Sequence, residues 1–257
     1  MRSVMLTIAY EGTDYAGWQV QPGQRTIQAE LERALTSITG DEIRVVGSGR
    51  TDAGVHALGQ VAGFRTESAL AAAVFQRALN AELPRDIAVL DAAEATADFH
   101  PIRDCISKRY RYVIHDEPVR DVFSRRFVWH FRHRLNESAM AEGARHLLGR
   151  HDFSSFETTG AERPDSIRTI SDLSVQRGAA DQADRIMIEV EADGFLYNMV
   201  RAITGTLVEV GRGAQGPDWV QQVLRATDRC QAGQTAPPEG LFLLRVDYPS
   251  TVYLDSE

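Results

Sequence analysis

Gly47-Ser48-Gly49-Arg50-Thr51-Asp52-Ala53-Gly54-Val55-His56-Ala57 lies between two short apolar stretches, 43–46 and 60–66, each with the length and composition of a strand. Gly47, Gly49 and Gly54 let the backbone turn sharply or approach a ligand closely. A phosphate loop is excluded. No G-K-[ST] follows, Asp52 stands where the dinucleotide fingerprint needs its third glycine, and no long helix comes next. A carboxylate aimed into a phosphate cradle would repel its ligand. The loop therefore joins strand to strand and presents an acid. Taken alone, an aspartate beside glycine is also a common turn residue that bonds its own backbone.

Outward from this loop, Val4, Leu6, Ile8 and Tyr10 alternate as a half-buried strand. Thr26 caps a helix carrying Ile27, Leu31, Leu35 and Ile38, with Gly40 as its stop. Ser68 is expected to open a second helix with Leu70, Val74, Phe75 and Leu79, which Pro84 ends, and 87–90 is a strand. The order is β-α-β-β-α-β. It recurs with insertions as a strand at 108–115, an extra strand at 127–131 and a helix capped by Asn136 that bears Met140, Ala144, Leu147 and Leu148. Strands at 168–175 and 185–191 follow, then a helix carrying Phe195, Met199, Ile203 and Leu207 toward Gly211, a short helix at 218–226 and a last strand at 241–246. This predicts an α+β fold of two ferredoxin-like (RRM-like) halves whose antiparallel sheets form a central cleft with their uncovered faces. The division falls near Asp104. It gives an N-terminal domain, 1–104, with the Asp52 loop, and a C-terminal domain, 105–257, completing the cleft.

With 257 residues, 43% hydrophobic and 25% charged, the chain has the make-up of an ordinary globular protein. No apolar run approaches the roughly 18 residues of a membrane span. The start, Met1-Arg2-Ser3, lacks a secretory leader's apolar core. Cys105 and Cys230 are too isolated for a disulfide framework or a zinc site. A cytoplasmic protein is expected. The net charge of -8 argues at first against a nucleic-acid partner. A binding groove is local, however, and basic residues gather at 103–111 and 125–134, while acidic ones gather at 91–98, 181–193 and 255–257. Lys108 is the only lysine, which reads most simply as arginine codon bias.

The loop 47–57 resembles, over eleven consecutive residues, the signature of the tRNA pseudouridine synthase A family. Similar stretches recur in the family's order along nearly the whole chain. They are Ala9-Tyr10-Glu11-Gly12-Thr13 with Gly17-Trp18-Gln19; Asp98-Phe99-His100-Pro101 with Lys108-Arg109-Tyr110-Arg111-Tyr112; Phe195-Leu196-Tyr197-Asn198-Met199-Val200-Arg201 with Gly205-Thr206-Leu207 and Val210-Gly211-Arg212-Gly213; and Ala236-Pro237-Pro238-Glu239-Gly240-Leu241. The resemblance implies an isomerase that converts uridine to pseudouridine at positions 38, 39 and 40 of the tRNA anticodon stem-loop. It implies a homodimer, with an interface in the second domain, and tRNA as partner through its anticodon arm and elbow. It further implies that Asp52 is the catalytic carboxylate, that Arg50 helps draw the target nucleotide from its stack, and that Tyr110 packs against the target base. Arg201 would pair with the carboxylate, and Leu241 would line the pocket.

The chemistry suits these residue types. The N1–C1′ bond breaks, the freed uracil turns, and C5 joins C1′. No redox change or group exchange occurs, so neither cofactor nor metal is required. One carboxylate serves as nucleophile or as base, whereas a glycosidase normally flanks its bond with two. Tyr110, three residues ahead of Val113 on its strand, is expected to turn its ring into the cleft. Trp18 with Tyr15 reads equally as a stacking platform or as a loop anchor, His56 as structural, and His130 with His133 as exposed or phosphate-contacting histidines rather than metal ligands. Arg103, Arg109, Arg111 and the 125–134 cluster would form a positive track. Two other classes stand beside this reading. One is a non-catalytic RNA-binding protein, although the RRM aromatic signature is absent; the other is a hydrolase of glycosides or nucleosides built on Asp52.

Overall fold

The computed structural model describes residues 1–158 and 165–254, so the acidic stretch 255–257, with Asp255 and Glu257, lies outside the described ones. It is a mixed α/β structure with mostly antiparallel strands, and it divides into two compact units, Met1–Lys108 with Phe242–Glu257, and Arg109–Leu241.

The first unit runs β1 (Arg2–Tyr10), α1 (Ile27–Thr39), β2 (Val45–Gly47), β3 (His56–Thr66), α2 (Ala72–Glu82) and β4 (Ile87–Ala95). β1 lies between β4 and β3, antiparallel to both, and β2 pairs antiparallel with the C-terminal part of β3. The register sets Val4 opposite Phe64, Leu6 opposite Ala62 and Ile8 opposite Gln60, which places these side chains on one face. Phe75 of α2 meets Phe64 edge-on at 5.2 Å, so this is the helix-covered face. Helix α1 starts where the Thr26 hydroxyl accepts from the Ala29 amide at 3.3 Å and stops where Gly40 adopts φ 77°. Ile27, Leu31 and Leu35 are buried along it, each worth about 1.5–3 kcal/mol of apolar transfer.

Helix α2 begins at Ala72, four residues later than the sequence suggests, and Leu70 lies outside it. The Ser68 hydroxyl accepts from the Leu70 amide at 3.3 Å, a local turn that competes with a helical start. Arg2 fixes the same turn by donating to the carbonyls of Ser68 and Leu70. The face opposite the helices is not bare. A side chain at Gly63 would collide with Pro101 and Phe99, and Phe99 packs edge-on against Tyr248 at 5.4 Å.

The second unit contains β5 (Ser107–His115, entered at its third residue), β6 (Trp129–His130), α3 (Glu137–Ala144), β7 (Gly149–Asp152), β8 (Ile167–Arg177), β9 (Arg185–Ala192), α4 (Met199–Gly211) and α5 (Trp219–Ala226). Its strands neighbour one another in the order β5-β9-β8-β7, with the two-residue β6 parallel to β5. Asn136 caps α3 as expected, accepting from the Ala139 amide at 3.0 Å. The strand β7 has no apolar alternation to announce it, since Gly149-Arg150-His151-Asp152 buries none of its side chains fully. Helix α4 is apolar and buried almost all round. Phe195, read as its first core residue, precedes it.

The last strand, β10 (Leu241–Asp247), pairs parallel with β3 through Phe242 opposite His56 and Leu243 opposite Ala57. The expected second half, 105–257, therefore surrenders its final strand to the first unit, and the boundary falls inside β5 rather than at residue 104.

The second unit also holds a fully buried carboxylate. Asp116, 0% exposed, takes both guanidinium nitrogens of Arg177 at 2.8 and 2.9 Å and the Leu135 amide at 3.0 Å. Removing one partner of such a pair strands the other charge, so Asp116→Ala is expected to cost roughly 3–5 kcal/mol. Urea denaturation checks this; an unchanged midpoint would show the pair contributes nothing.

Candidate active site

The loop between β2 and β3 is held from beneath by a buried polar network. Gln60 on β3, with no exposed surface, accepts from the Ser48 hydroxyl at 2.6 Å and donates to the Gly49 carbonyl at 3.0 Å. Its amide also reaches the Tyr10 hydroxyl at 3.4 Å, and that hydroxyl is 2.8 Å from the hydroxyl of Thr51. Lys108 donates to the Ser48 carbonyl at 2.7 Å. The Ser48 amide bonds the Val61 carbonyl at 2.8 Å, so the loop leaves the sheet only after Gly47.

From above, the connection between β1 and α1 presses its glycines onto the loop. A Cβ on Gly12 would stand 1.9 Å from the Val55 carbonyl oxygen, and one on Gly17, whose φ is +98°, would stand 2.6 Å from that of Thr51. No other residue fits either place. The Trp18 amide donates to the Thr51 carbonyl at 3.0 Å, and the Val55 amide closes a turn onto the Asp52 carbonyl at 3.1 Å. Asp52 opens that turn half-buried, with its backbone clamped on both sides. Arg50, two residues earlier, is exposed.

The other sequence-nominated residues lie in the second unit. Tyr110 on β5 is 7% exposed and meets Phe195 edge-on at 4.9 Å. It shares its strand face with buried Tyr112 and Ile114, and Val113 points the opposite way, because side chains alternate with period two. Arg201 sits in the first turn of α4, where the helix dipole disfavours a cation. Its guanidinium donates to the Ala236 carbonyl and to Asn198, each at 2.7 Å, and Asn198 itself takes a left-handed φ of 60°. Leu241, 6% exposed, follows the turn Pro238–Gly240 and opens β10.

Several side readings resolve. Trp18 and Tyr15, 2% and 3% exposed, are anchors rather than a stacking platform: the indole packs on Gly47, and the Tyr15 hydroxyl donates to Asp86 at 2.6 Å. His56 is buried, accepts the Gly12 amide on Nδ1 at 3.0 Å and stacks on Phe242 at 4.8 Å, which sets its ring proton on Nε2. His130 bonds the Glu117 carbonyl at 2.8 Å, and His133 lies edge-on to Phe131. Among the described residues no cluster of three or more His, Cys, Asp or Glu is placed to hold a metal.

The positive track needs correction. Arg109 is bound to Asp172, Glu189 and Glu191 at 2.6, 2.9 and 2.9 Å, and Arg111 to Glu189 at 2.6 Å. Arg103 is paired with Asp104 at 2.7 Å, and Arg134 with Glu117 at 2.9 Å. These arginines answer the protein's own carboxylates, which charge clustering along the sequence cannot reveal. The network around Gln60 was missed as well. Its only sequence signals were Tyr10 inside the first motif and the singularity of Lys108.

A half-buried carboxylate on a clamped loop defines a candidate enzyme of acid–base or nucleophilic type. The family model described as tRNA pseudouridine synthase matches residues 6–103 and 144–249. Curated relatives named tRNA pseudouridine synthase A are 46% identical over 248 residues in Pelobacter propionicus, 43% over 248 in Thermoanaerobacter sp. (strain X514) and 44% over 249 in Acetivibrio thermocellus. Each comparison covers 96% of this chain and 100% of the relative. The chain belongs to the tRNA pseudouridine synthase family, isomerases that convert uridine to pseudouridine in tRNA.

The clamp has a pH signature. Burial lifts the Tyr10 phenol to about 12, against the opposing pull of its bonds to Thr51 and Gln60. The unfolded value is about 10, so the folded state favours the neutral phenol. That stability is whole below about pH 10 and is lost as pH rises through about 12. Tyr10→Phe is expected to lose about 1 kcal/mol near neutrality with the Thr51 bond, yet to lose less than wild type between about pH 10 and 12. Urea titrations across that range read both effects, and parallel pH profiles would remove Tyr10 from the account.

Proposed function

We propose that this chain isomerises uridine at positions 38, 39 and 40 of the tRNA anticodon stem-loop, with Asp52 as its catalytic carboxylate. The observation that carries the assignment of Asp52 is the clamped loop: hydrogen bonds and close glycine contacts fix the Asp52 backbone from two sides, as a reaction needing one precisely aimed acid requires. Breaking N1–C1′ and forming C5–C1′ gives an isomer: the C5 hydrogen leaves as a proton and the freed N1 takes one up. No cofactor or metal enters that balance. Whether the carboxylate attacks sugar or base, or removes a ribose proton, it must be ionised. A paired guanidinium favours the ionised form, which is the role assigned here to Arg201. Its place in the first turn of α4, against the dipole, supports a duty other than helix stability.

The target base must leave its stack to expose C1′ and C5. Arg50 assists that extrusion, Tyr110 packs against the extruded base, and Leu241 lines the pocket. The exposure of Arg50 and the rigid edge contact of Tyr110 with Phe195 suit these tasks. The two-part architecture is read as two variants of the ferredoxin-like half, the second domain holding the interface of a homodimer. A tRNA would then be gripped by its anticodon arm and elbow across both subunits, in the cytoplasm. No described helix is long and apolar enough to cross a membrane.

Asp52→Asn keeps the shape of the side chain and removes its basicity. Single-turnover tritium release from C5-labelled uridine in tRNA is expected to vanish while tRNA binding persists. A residual rate above about a thousandth of wild type would take the chemistry away from Asp52, since a general base alone contributes roughly 10²–10⁴-fold. For Tyr110, replacement by Ala should forfeit a stacking surface worth about 1–3 kcal/mol per base. Tyr110→Phe separates ring from hydroxyl, full activity confining the residue to packing. Wild-type turnover by the Ala variant would end its assignment.

A further inference from the structure

Beside the catalytic loop, the first unit carries a cavity of about 200 Å³ lined by Trp18, Gln19, Val46, Gly49, Arg50 and Ile102 among others. Neither packing nor internal hydrogen bonding accounts for two of its side chains. Gln19, half-buried, and Arg50, exposed, have no hydrogen-bond or ion-pair partner among the described residues. Their neighbour Gln28 is fully engaged: it accepts the Val20 amide at 3.1 Å and donates to the Val45 carbonyl at 3.0 Å and to Glu32 at 2.9 Å. The walls are apolar and open to solvent, with Val46 40% and Ile102 56% exposed. A slot with apolar walls, one unengaged amide and one unengaged guanidinium has the chemistry of a nucleotide site. An amide bonds donor and acceptor together on a base edge, and a guanidinium grips phosphate.

Size and position narrow the occupant. The cavity is smaller than the roughly 300–1,000 Å³ of sites for drug-sized ligands, so it suits a single planar ring system. Arg50 lines it and stands two residues before Asp52, a span of at most about 7 Å of chain. A base seated there is the immediate neighbour of one held at Asp52. Resting on the functional reading above, we infer that this cavity receives the nucleobase adjacent to the target uridine, with the Gln19 amide on its edge and Arg50 on the phosphate that joins the two nucleotides. Extruding one base unstacks its neighbour also, and a slot for that neighbour buries its exposed face against apolar walls and fixes the register of the strand.

The test uses anticodon stem-loop RNAs with a C5-tritiated target uridine and an abasic residue on its 5′ side, on its 3′ side, or four nucleotides away. Wild type is expected to lose about tenfold in kcat/KM when one flanking base is missing, as loss of its contact with the apolar walls of the slot predicts, and nothing for the distant site. Val46→Trp, which fills the slot from its solvent side, and Gln19→Leu, which keeps the volume and removes the amide, should process the intact RNA at the rate of the abasic one. A general structural defect would slow all RNAs and keep their ratio. The inference is overturned if both variants retain the wild-type preference for the intact neighbour, or if wild type is indifferent to an abasic residue on either side. Absence of tritium release by wild type from every RNA would strike the functional reading itself, and the subsite with it.

Discussion

A loop that must hold one carboxylate still has few means of doing so, because its backbone amides and carbonyls need partners that apolar packing cannot supply. Here the single side chain of Gln60 meets much of that need. Fully buried in the helix-covered face of β3, it engages the Ser48 hydroxyl, the Gly49 carbonyl and the Tyr10 hydroxyl, and through Tyr10 it reaches Thr51. An amide without these partners would be a liability of about 1–3 kcal/mol. With them it fixes residues 48–51 relative to the sheet. The network is mutually dependent, since removing Gln60 takes the acceptor from the Ser48 hydroxyl and one of two contacts from Tyr10. Gly12 and Gly17 close the other side by bringing backbone onto backbone with no side chain between. The acid is therefore positioned by the sheet.

The same economy governs charge. With a net charge of -8, the chain's carboxylates outnumber its cations, and several arginines answer them. Arg109, Arg111, Arg134 and Arg177 are committed to Asp116, Glu117, Asp172, Glu189 and Glu191. Beside the Asp52 loop, Arg50 is exposed. A lone exposed guanidinium contributes little to non-specific attraction, which grows with the number of phosphates neutralised, but it can place one phosphate. On the unit that carries Asp52, the arrangement favours position over affinity.

What the sequence disclosed follows from how local its signals were. Helix α1 was readable to within a residue because the Thr26 cap, the Leu31 and Leu35 spacing and the Gly40 stop all act within a few turns. Helix α2 was misread at its start because Ser68 turns locally onto Leu70 and is pinned by Arg2, 66 residues away. Strand β7 was invisible, since Gly149-Arg150-His151-Asp152 has no apolar period. At the site, Asp52 stood out as the acid that every phosphate-loop reading failed to accommodate. Gln60 did not, because an interior glutamine looks like any polar residue until its partners are brought to it from Tyr10, Ser48 and Gly49. The fate of Arg109 and Arg111 was equally hidden, their carboxylates lying some 60 to 80 residues downstream.

The edge of β3 shows why the carboxylate loop depends on the far end of the chain. β2 covers that edge only at residues 62–64, and β10 covers it at 56 and 57. Between them the Ser48 amide bonds Val61, and the Leu244 carbonyl comes so near Gly59 that a Cβ there would stand 2.4 Å from it. The strand segment immediately after the loop is thus paired by residues nearly 190 positions later. Loop closure over such a span is slow relative to hairpin contacts. The β1–β3 pairing and helices α1 and α2 close over shorter spans of chain, whereas the base of the loop at His56 is completed when Phe242 stacks on it. The strand that follows the Asp52 loop is thus completed by a segment from far along the sequence. The family's motifs at residues 9–19, 47–57 and 236–241 accordingly lie on, or immediately beside, the three segments that meet at His56.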